Sequence, residues 1–196
     1  MLWKTVEFMP KIVDRDEYSQ ELLRKCFDLF ARYGYSSITM RQIASELNVS
    51  TGTLYHYFPS KESLFEQLVD YLSTQDTSPE EIAKLGNPQT LAERIDGMMN
   101  FVAKNEAYLL KKILIMIDFS QHKDPAFNNE ALQRAENLYE EALCQYLGIS
   151  NRVLANFIVN QIEGFLLRRF YLGERFSFAE ETNLLREILI TYLEQQ

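Results

Sequence analysis

TMRQIASELNVSTGTLYHYFPSKESL, residues 39–64, holds two short amphipathic pieces and the caps that delimit them. Thr39 followed three positions later by Gln42 is a capping box, the hydroxyl accepting from the N3 amide and the glutamine reaching back to the N-cap amide. Ile43, Ala44 and Leu47 form the inner face of the helix that starts there. After Asn48-Val49, Ser50 caps a second short helix whose Leu54 and Phe58 point inward at i and i+4; Pro59 stops it and Ser60 caps the next. Faces this small cannot hold themselves together, so both helices must rest on their neighbours, which leaves the second one displayed. It would present Thr51, Thr53, Tyr55, His56 and Tyr57, with Gly52 removing bulk where a backbone could approach a phosphate. That is the arrangement of a helix-turn-helix.

On the N-terminal side, Asp14 is placed as an N-cap with Glu17 three residues on, and Tyr18, Leu22, Cys26, Phe27, Phe30 and Ala31 form a buried stripe that Gly34 ends in the left-handed conformation. Residues 1–13 read as a loose lead, with Met9 a second candidate start. On the C-terminal side, a fourth helix runs to Leu72 and ends in the polar stretch Ser73 to Pro79. Five longer helices follow: 90–105, 106–122, 130–147, 151–172 and 178–194. With seven glycines, five prolines and no strand-like alternation, the class is all-α.

The two cysteines lie inside helical patterns and no signal peptide is evident, which fits a reducing cytoplasm. The longest apolar run, Ile113 to Ile117, is far short of the ~20 residues that cross a bilayer, so a soluble protein is expected. The net charge of -8 is unevenly placed. Residues 1–62 carry 8 of the 20 Lys+Arg and 8 of the 28 Asp+Glu, leaving 12 against 20 for residues 63–196. The organisation expected is a helix-turn-helix domain over 1–62 and a second, all-α domain over 63–196.

Thr39, the pair Ile43-Ala44, Val49-Ser50, the run Gly52-Thr53-Leu54-Tyr55 and Ser60-Lys61-Glu62 follow one another in the order of a known signature. Over about residues 14–72 the chain resembles the TetR family of bacterial transcriptional regulators; beyond that the resemblance is architectural. It implies that Thr39 and Arg41 meet the sugar-phosphate backbone, that Thr51, Gly52 and Thr53 face base edges, that Tyr55, His56 and Tyr57 divide between phosphates and bases, and that Lys61 clamps a phosphate. Tyr57 has a second reading, half-buried beside helix four. Asn48 stands where many members have glycine, and asparagine is the best substitute for a left-handed backbone. The recognition helix holds no Arg, Lys, Asn or Gln, the types that make bidentate pairs with guanine or adenine, so readout should lean on thymine methyls, water and DNA shape.

In the second part, helix 151–172 carries a broad apolar arc, and helix 178–194 adds a second stripe. The resemblance implies that the two helices pair with their symmetry mates in a homodimer, with Ile158, Ile162, Phe165, Leu166, Leu185, Ile188, Leu189 and Tyr192 at the interface; plain core packing is the other reading. Helix 106–122, apolar nearly all round, should be buried among other helices, and the family encloses a ligand cavity there. Met98, Met99, Phe101, Val102, Ile113, Met116 and Phe119 are its candidate walls, with ordinary core again the alternative.

Catalysis is not expected: no Glu lies three before either His56 or His122, and there is no H-E-x-x-H, C-x-x-C or G-x-S-x-G. No metal or cofactor is called for. The function expected is a sequence-specific DNA-binding regulator, a repressor released from a near-palindromic operator by a small-molecule effector. An activator, or a small-molecule-binding helical protein with a degenerate DNA module, are the rivals.

Overall fold

The computed structural model describes residues 15–124 and 130–195. Its helices are α1 Arg15–Tyr33, α2 Met40–Glu46, α3 Thr51–Tyr57, α4 Lys61–Asp76, α5 Pro79–Ala83, α6 Leu91–Lys104, α7 Glu106–His122, α8 Glu130–Leu147, α9 Arg152–Leu172 and α10 Phe178–Leu193, with a 3-10 turn at Gly173–Arg175. The described residues contain no strand. The expected cap at Asp14 and the lead before it lie outside the described residues.

Local chemistry sets most of the boundaries. The Thr39–Gln42 capping box is formed in both directions, with Thr39 N donating to Gln42 Oε1 at 2.9 Å and Gln42 N to Thr39 Oγ1 at 3.3 Å. Asn48 takes φ 56°, the only described non-glycine residue with positive φ, and Val49 N returns to Ala44 O at 2.9 Å. Ser50 and Ser60 cap α3 and α4 through Thr53 N and Ser63 N. Helix α4 runs a turn beyond the expected end at Leu72, because Ser73 does not break it: its hydroxyl turns back to Asp70 O at 3.2 Å, and Thr77 Oγ1 then donates to Ser73 O at 2.7 Å. The short α5, which opens on Pro79 after the Ser78 cap, has no apolar periodicity to announce it.

Ile43, Leu54 and Phe58 are fully buried and Ala44 nearly so, each large one contributing about 1.5–3 kcal/mol of apolar burial, and they anchor α2 and α3 on α1 and α4. The same core continues into Ile115 and Phe119 of α7 and Ala131 and Ala135 of α8. No gap in packing therefore follows residue 62, and α4 serves both halves of the chain.

A second core joins α6, α8, α9 and α10, and it revises the expected interface. Ile158, Phe165, Leu185 and Leu189 are 0–7% exposed and pack inside this one chain, since they lie on the α9 and α10 faces turned toward α6 and each other, and Leu166, equally buried, lies on another side of α9. The outward faces carry Val153, Phe157 and Tyr171 on α9 and Leu184, Ile188 and Tyr192 on α10, all well exposed. Of the eight expected interface residues, only Ile188 and Tyr192 lie on that outer face; Ile162 lies on the inner side of α9.

Candidate nucleic-acid interface and effector cavity

Helix α3 stands outward on the shelf made by α1, α2 and α4. Thr51 is half-exposed, and Gly52, Tyr55 and His56 are exposed. A Cβ built at Gly52 would meet only Ser50 Oγ, at 3.7 Å, so nothing in the fold demands glycine there; the missing side chain leaves room for something outside the chain. The hydroxyls differ in availability. Thr39 Oγ1 is committed to Gln42, and Thr53 Oγ1 shares a proton with Ser50 Oγ at 2.7 Å, whereas the Thr51 and Tyr55 hydroxyls bond to no described residue. Arg41 is exposed and likewise unpaired among the described residues. Tyr57 is half-buried, its ring 5.5 Å from Tyr18 of α1 with the Arg15 guanidinium 6.0 Å from its centroid. Its ring packs on helix one while its carbonyl accepts from Gln67 Nε2 of α4 at 3.5 Å, in keeping with the half-buried alternative to a DNA contact.

Lys61 is turned inward. Its Nζ donates to Tyr35 O at 2.9 Å and Ile38 O at 3.1 Å and lies 4.4 Å from the Tyr35 ring centroid. Burial pulls its ammonium below the usual lysine value, against the opposing pull of Glu62 and Asp118. The group expected to clamp a phosphate thus holds the α1–α2 loop.

The same loop is gripped from the other side by α7. Ser36 N donates to Asp118 Oδ2 at 3.0 Å, and His122 Nδ1 lies 3.0 Å from Asp118 Oδ1. A Cβ at Gly34, where φ is 82°, would come within 3.0 Å of the same carboxylate, so glycine there serves both the helix end and this approach. Burial pushes the Asp118 carboxyl up, but the Ser36 hydrogen bonds, His122 and the Tyr35 amide outweigh it and hold it below the usual carboxylate range. Beside it, Phe119 stacks on Phe65 at 3.8 Å and meets Tyr35 edge-on at 5.0 Å. Phe119, expected in a ligand wall, is instead a core residue joining the two halves.

A cavity of about 660 Å³ opens between α4, α5, α6, α7, α8 and α9. Met98, Phe101, Val102, Ile113 and Met116 line it as expected; Met99 does not, because it faces the second core on the other side of α6. The cavity explains the apolar circumference of α7: only Ile115 and Phe119 are buried, while Leu109, Ile113, Met116 and Ile117 face the empty space. Residues that composition did not single out complete the wall, among them Leu143, Tyr146, Val159 and Leu166.

At one end Asp76 accepts from the hydroxyls of Tyr108 and Tyr139, both at 2.8 Å, and pairs with Lys112. Burial and then the Asp76 charge push both tyrosines well above their ordinary values, so they stay protonated donors. Glu163 lies on the α9 wall; burial pushes its carboxyl up, Lys112 draws it down and Glu136 adds to the rise. The residue is exposed, at the open side of the cavity wall.

Comparison with known proteins matches these parts. The sequence family described as bacterial regulatory proteins, tetR family, matches residues 22–68. The HTH-type transcriptional regulator HbdR of Aromatoleum sp. (strain CIB) is 37% identical over 87 residues, 43% of this chain and 37% of HbdR, so the alignment spans little more than a third of that relative's length. The TetR transcriptional regulator from Legionella pneumophila has the same fold with a TM-score of 0.66 at 21% identity, covering 92% of this chain and 99% of that one. FadR from Bacillus subtilis, solved in complex with stearoyl-CoA, gives a TM-score of 0.59 at 20% identity over 88% and 97% of the two chains. The chain thus carries the DNA-binding segment of the family described as bacterial regulatory proteins, tetR family, at its N-terminus, and its fold along its length is that of solved TetR-family regulators.

Proposed function

We propose that the protein is a cytoplasmic homodimeric transcriptional repressor that binds a near-palindromic operator through α3 and leaves it when a small molecule fills the cavity. The observation that carries this reading is the capped, outward-facing α3, whose Thr51, Gly52, Tyr55 and His56 are presented with no structural task of their own. Arg41 supplies a backbone contact, and Thr39 and Thr53 approach DNA through caps already formed. The work is binding, without catalysis.

Two copies are needed because the DNA-binding third is electrically neutral and makes too few phosphate contacts alone. The outer faces of α9 and α10 suit a symmetric four-helix contact: apolar residues recur at Leu184, Ile188 and Tyr192, and a Cβ at Gly164 would meet nothing within 4 Å. The two α3 helices must then sit about 34–36 Å apart to enter successive major grooves. An effector that favours another spacing releases the operator.

Selection of bound sequences from random DNA by the purified protein tests the reading and should return a two-fold symmetric site. On that site Thr51→Ala should cost about 1–3 kcal/mol per affected base pair, with random DNA little changed and the salt slope preserved. Equal loss on both DNAs would mean that α3 does not face base edges.

A further inference from the structure

Four charged residues line the cavity: Asp76, Glu81, Lys112 and Glu163. Three are satisfied by the chain itself. Lys112 pairs with Asp76, which also accepts from Tyr108 and Tyr139, and Glu81 pairs with Lys84. Glu163 is the exception, because no hydrogen bond or ion pair from a described residue reaches its carboxylate, and it stands in a wall otherwise made chiefly of aliphatic and aromatic side chains. Once a ligand displaces water there, a carboxylate that Lys112 attracts without pairing to it loses its hydration, at a cost that a ligand with a counter-charge offsets. A ligand with an acidic head meets the reverse problem, since the one ammonium on the wall is already engaged and the Glu163 charge opposes it.

Resting on the reading of this cavity as the effector site, we propose that the effector is a lipophilic monocation, its apolar body among Phe101, Ile113 and Met116 and its positive centre against Glu163. The volume, about 660 Å³, is that of a site for a drug-sized molecule.

The test uses the full chain, free of DNA, titrated calorimetrically with tetraphenylphosphonium and tetraphenylborate, two ions of the same shape and opposite charge. Tetraphenylphosphonium should bind at least about tenfold more tightly, and Glu163→Gln should reduce that preference to about threefold or less. Because that change removes one negative charge from a net charge of -8, a general attraction of the acidic surface for cations would leave the preference almost intact. Repeating the titration in 0.5 M salt suppresses the surface term further. Filling the cavity with Ile113→Trp or, independently, Met116→Trp should abolish binding while the circular dichroism spectrum is kept.

If both ions bind equally and both filling variants block them, the cationic class is wrong and the cavity reading stands. A preference that survives Glu163→Gln overturns the assignment to Glu163. If neither ion binds, or if filling the cavity changes nothing, the effector-site reading falls and takes this inference with it.

Discussion

Lys61 offers the most direct trial of the structure, because its position here and a role as phosphate clamp lead to opposite results for one substitution. Lys61→Met keeps most of the stem and removes the ammonium, leaving Tyr35 O and Ile38 O without their donors at 2.9 and 3.1 Å and the Tyr35 ring without its cation. A hydrogen bond from a charged group contributes ~1.5–3 kcal/mol and a partly exposed cation–π contact ~0.5–1 kcal/mol. Water can reach this half-buried group and replace part of both, which brings the net loss to about 2 kcal/mol. For a chain of this size that is a fall in melting temperature of roughly 4–8 °C. Calorimetry at fixed protein concentration reads it, since the proposed dimerisation would make the melting point concentration-dependent. Affinity for the selected operator, followed through several salt concentrations, should keep its salt slope. A melting temperature changed by no more than about 1 °C, with a slope lower by about one per protomer, would refute the reasoning and put the ammonium on a phosphate.

Leu184→Glu with Ile188→Glu places charge on the outer face of α10 without touching the core, and should give monomers by sedimentation that no longer bind the operator. Gly97→Ala should destabilise the chain by about 1–3 kcal/mol in urea unfolding, because its Cβ would press on the Tyr146 hydroxyl and sit 2.9 Å from Leu85 O. Cys26 is fully buried and burial pushes its thiol up to about 12, so it should resist alkylation at pH 8 until the protein unfolds; rapid native modification would show the first core to be open. Asp118→Asn should lower stability at neutral pH, and the difference from wild type should shrink as pH falls below about 4: a carboxyl held down in the folded state stabilises above its unfolded value, and loses that stabilisation as it is protonated. A difference that stays constant from pH 7 to pH 3 would contradict that account.

The boundaries that the sequence announced are those whose cause lies within a few residues. Thr39 with Gln42, Ser50 with Thr53, and Asn48 at φ 56° each settle their own geometry, and α7 and α8 span 106–122 and 130–147 as the periodicity predicted. What escaped depends on neighbours distant in the chain. Helix α9 is apolar on more than one side, and nothing in its own residues says that Ile158 and Phe165 face α10 while Val159 and Leu166 face a cavity and Phe157 faces out. Lys61 follows the family's motif, yet its destination is set by two carbonyls more than twenty residues earlier. The role of Asp118 on an otherwise apolar helix depends on Ser36, 82 residues earlier. Glu163 lines the cavity only through helices that no single-helix pattern contains.

Helix α7 is a lever. Its middle turns line the cavity, and its last turns hold the stacked Phe119–Phe65 pair and the Asp118 grip on Ser36, three residues before the cap of α2. From Glu106 to Phe119 the rod measures about 20 Å at 1.5 Å per residue. A tilt of only about 5° about its N-terminal end therefore carries Phe119 through nearly 2 Å, a large step in an interior packed to crystal-like density. The ring pair must then slide or bring α4 with it, and in the second case the shelf under α3 moves too. A ligand that shifts the lever's midpoint by less than the width of a methyl group would be felt, amplified, at the far end.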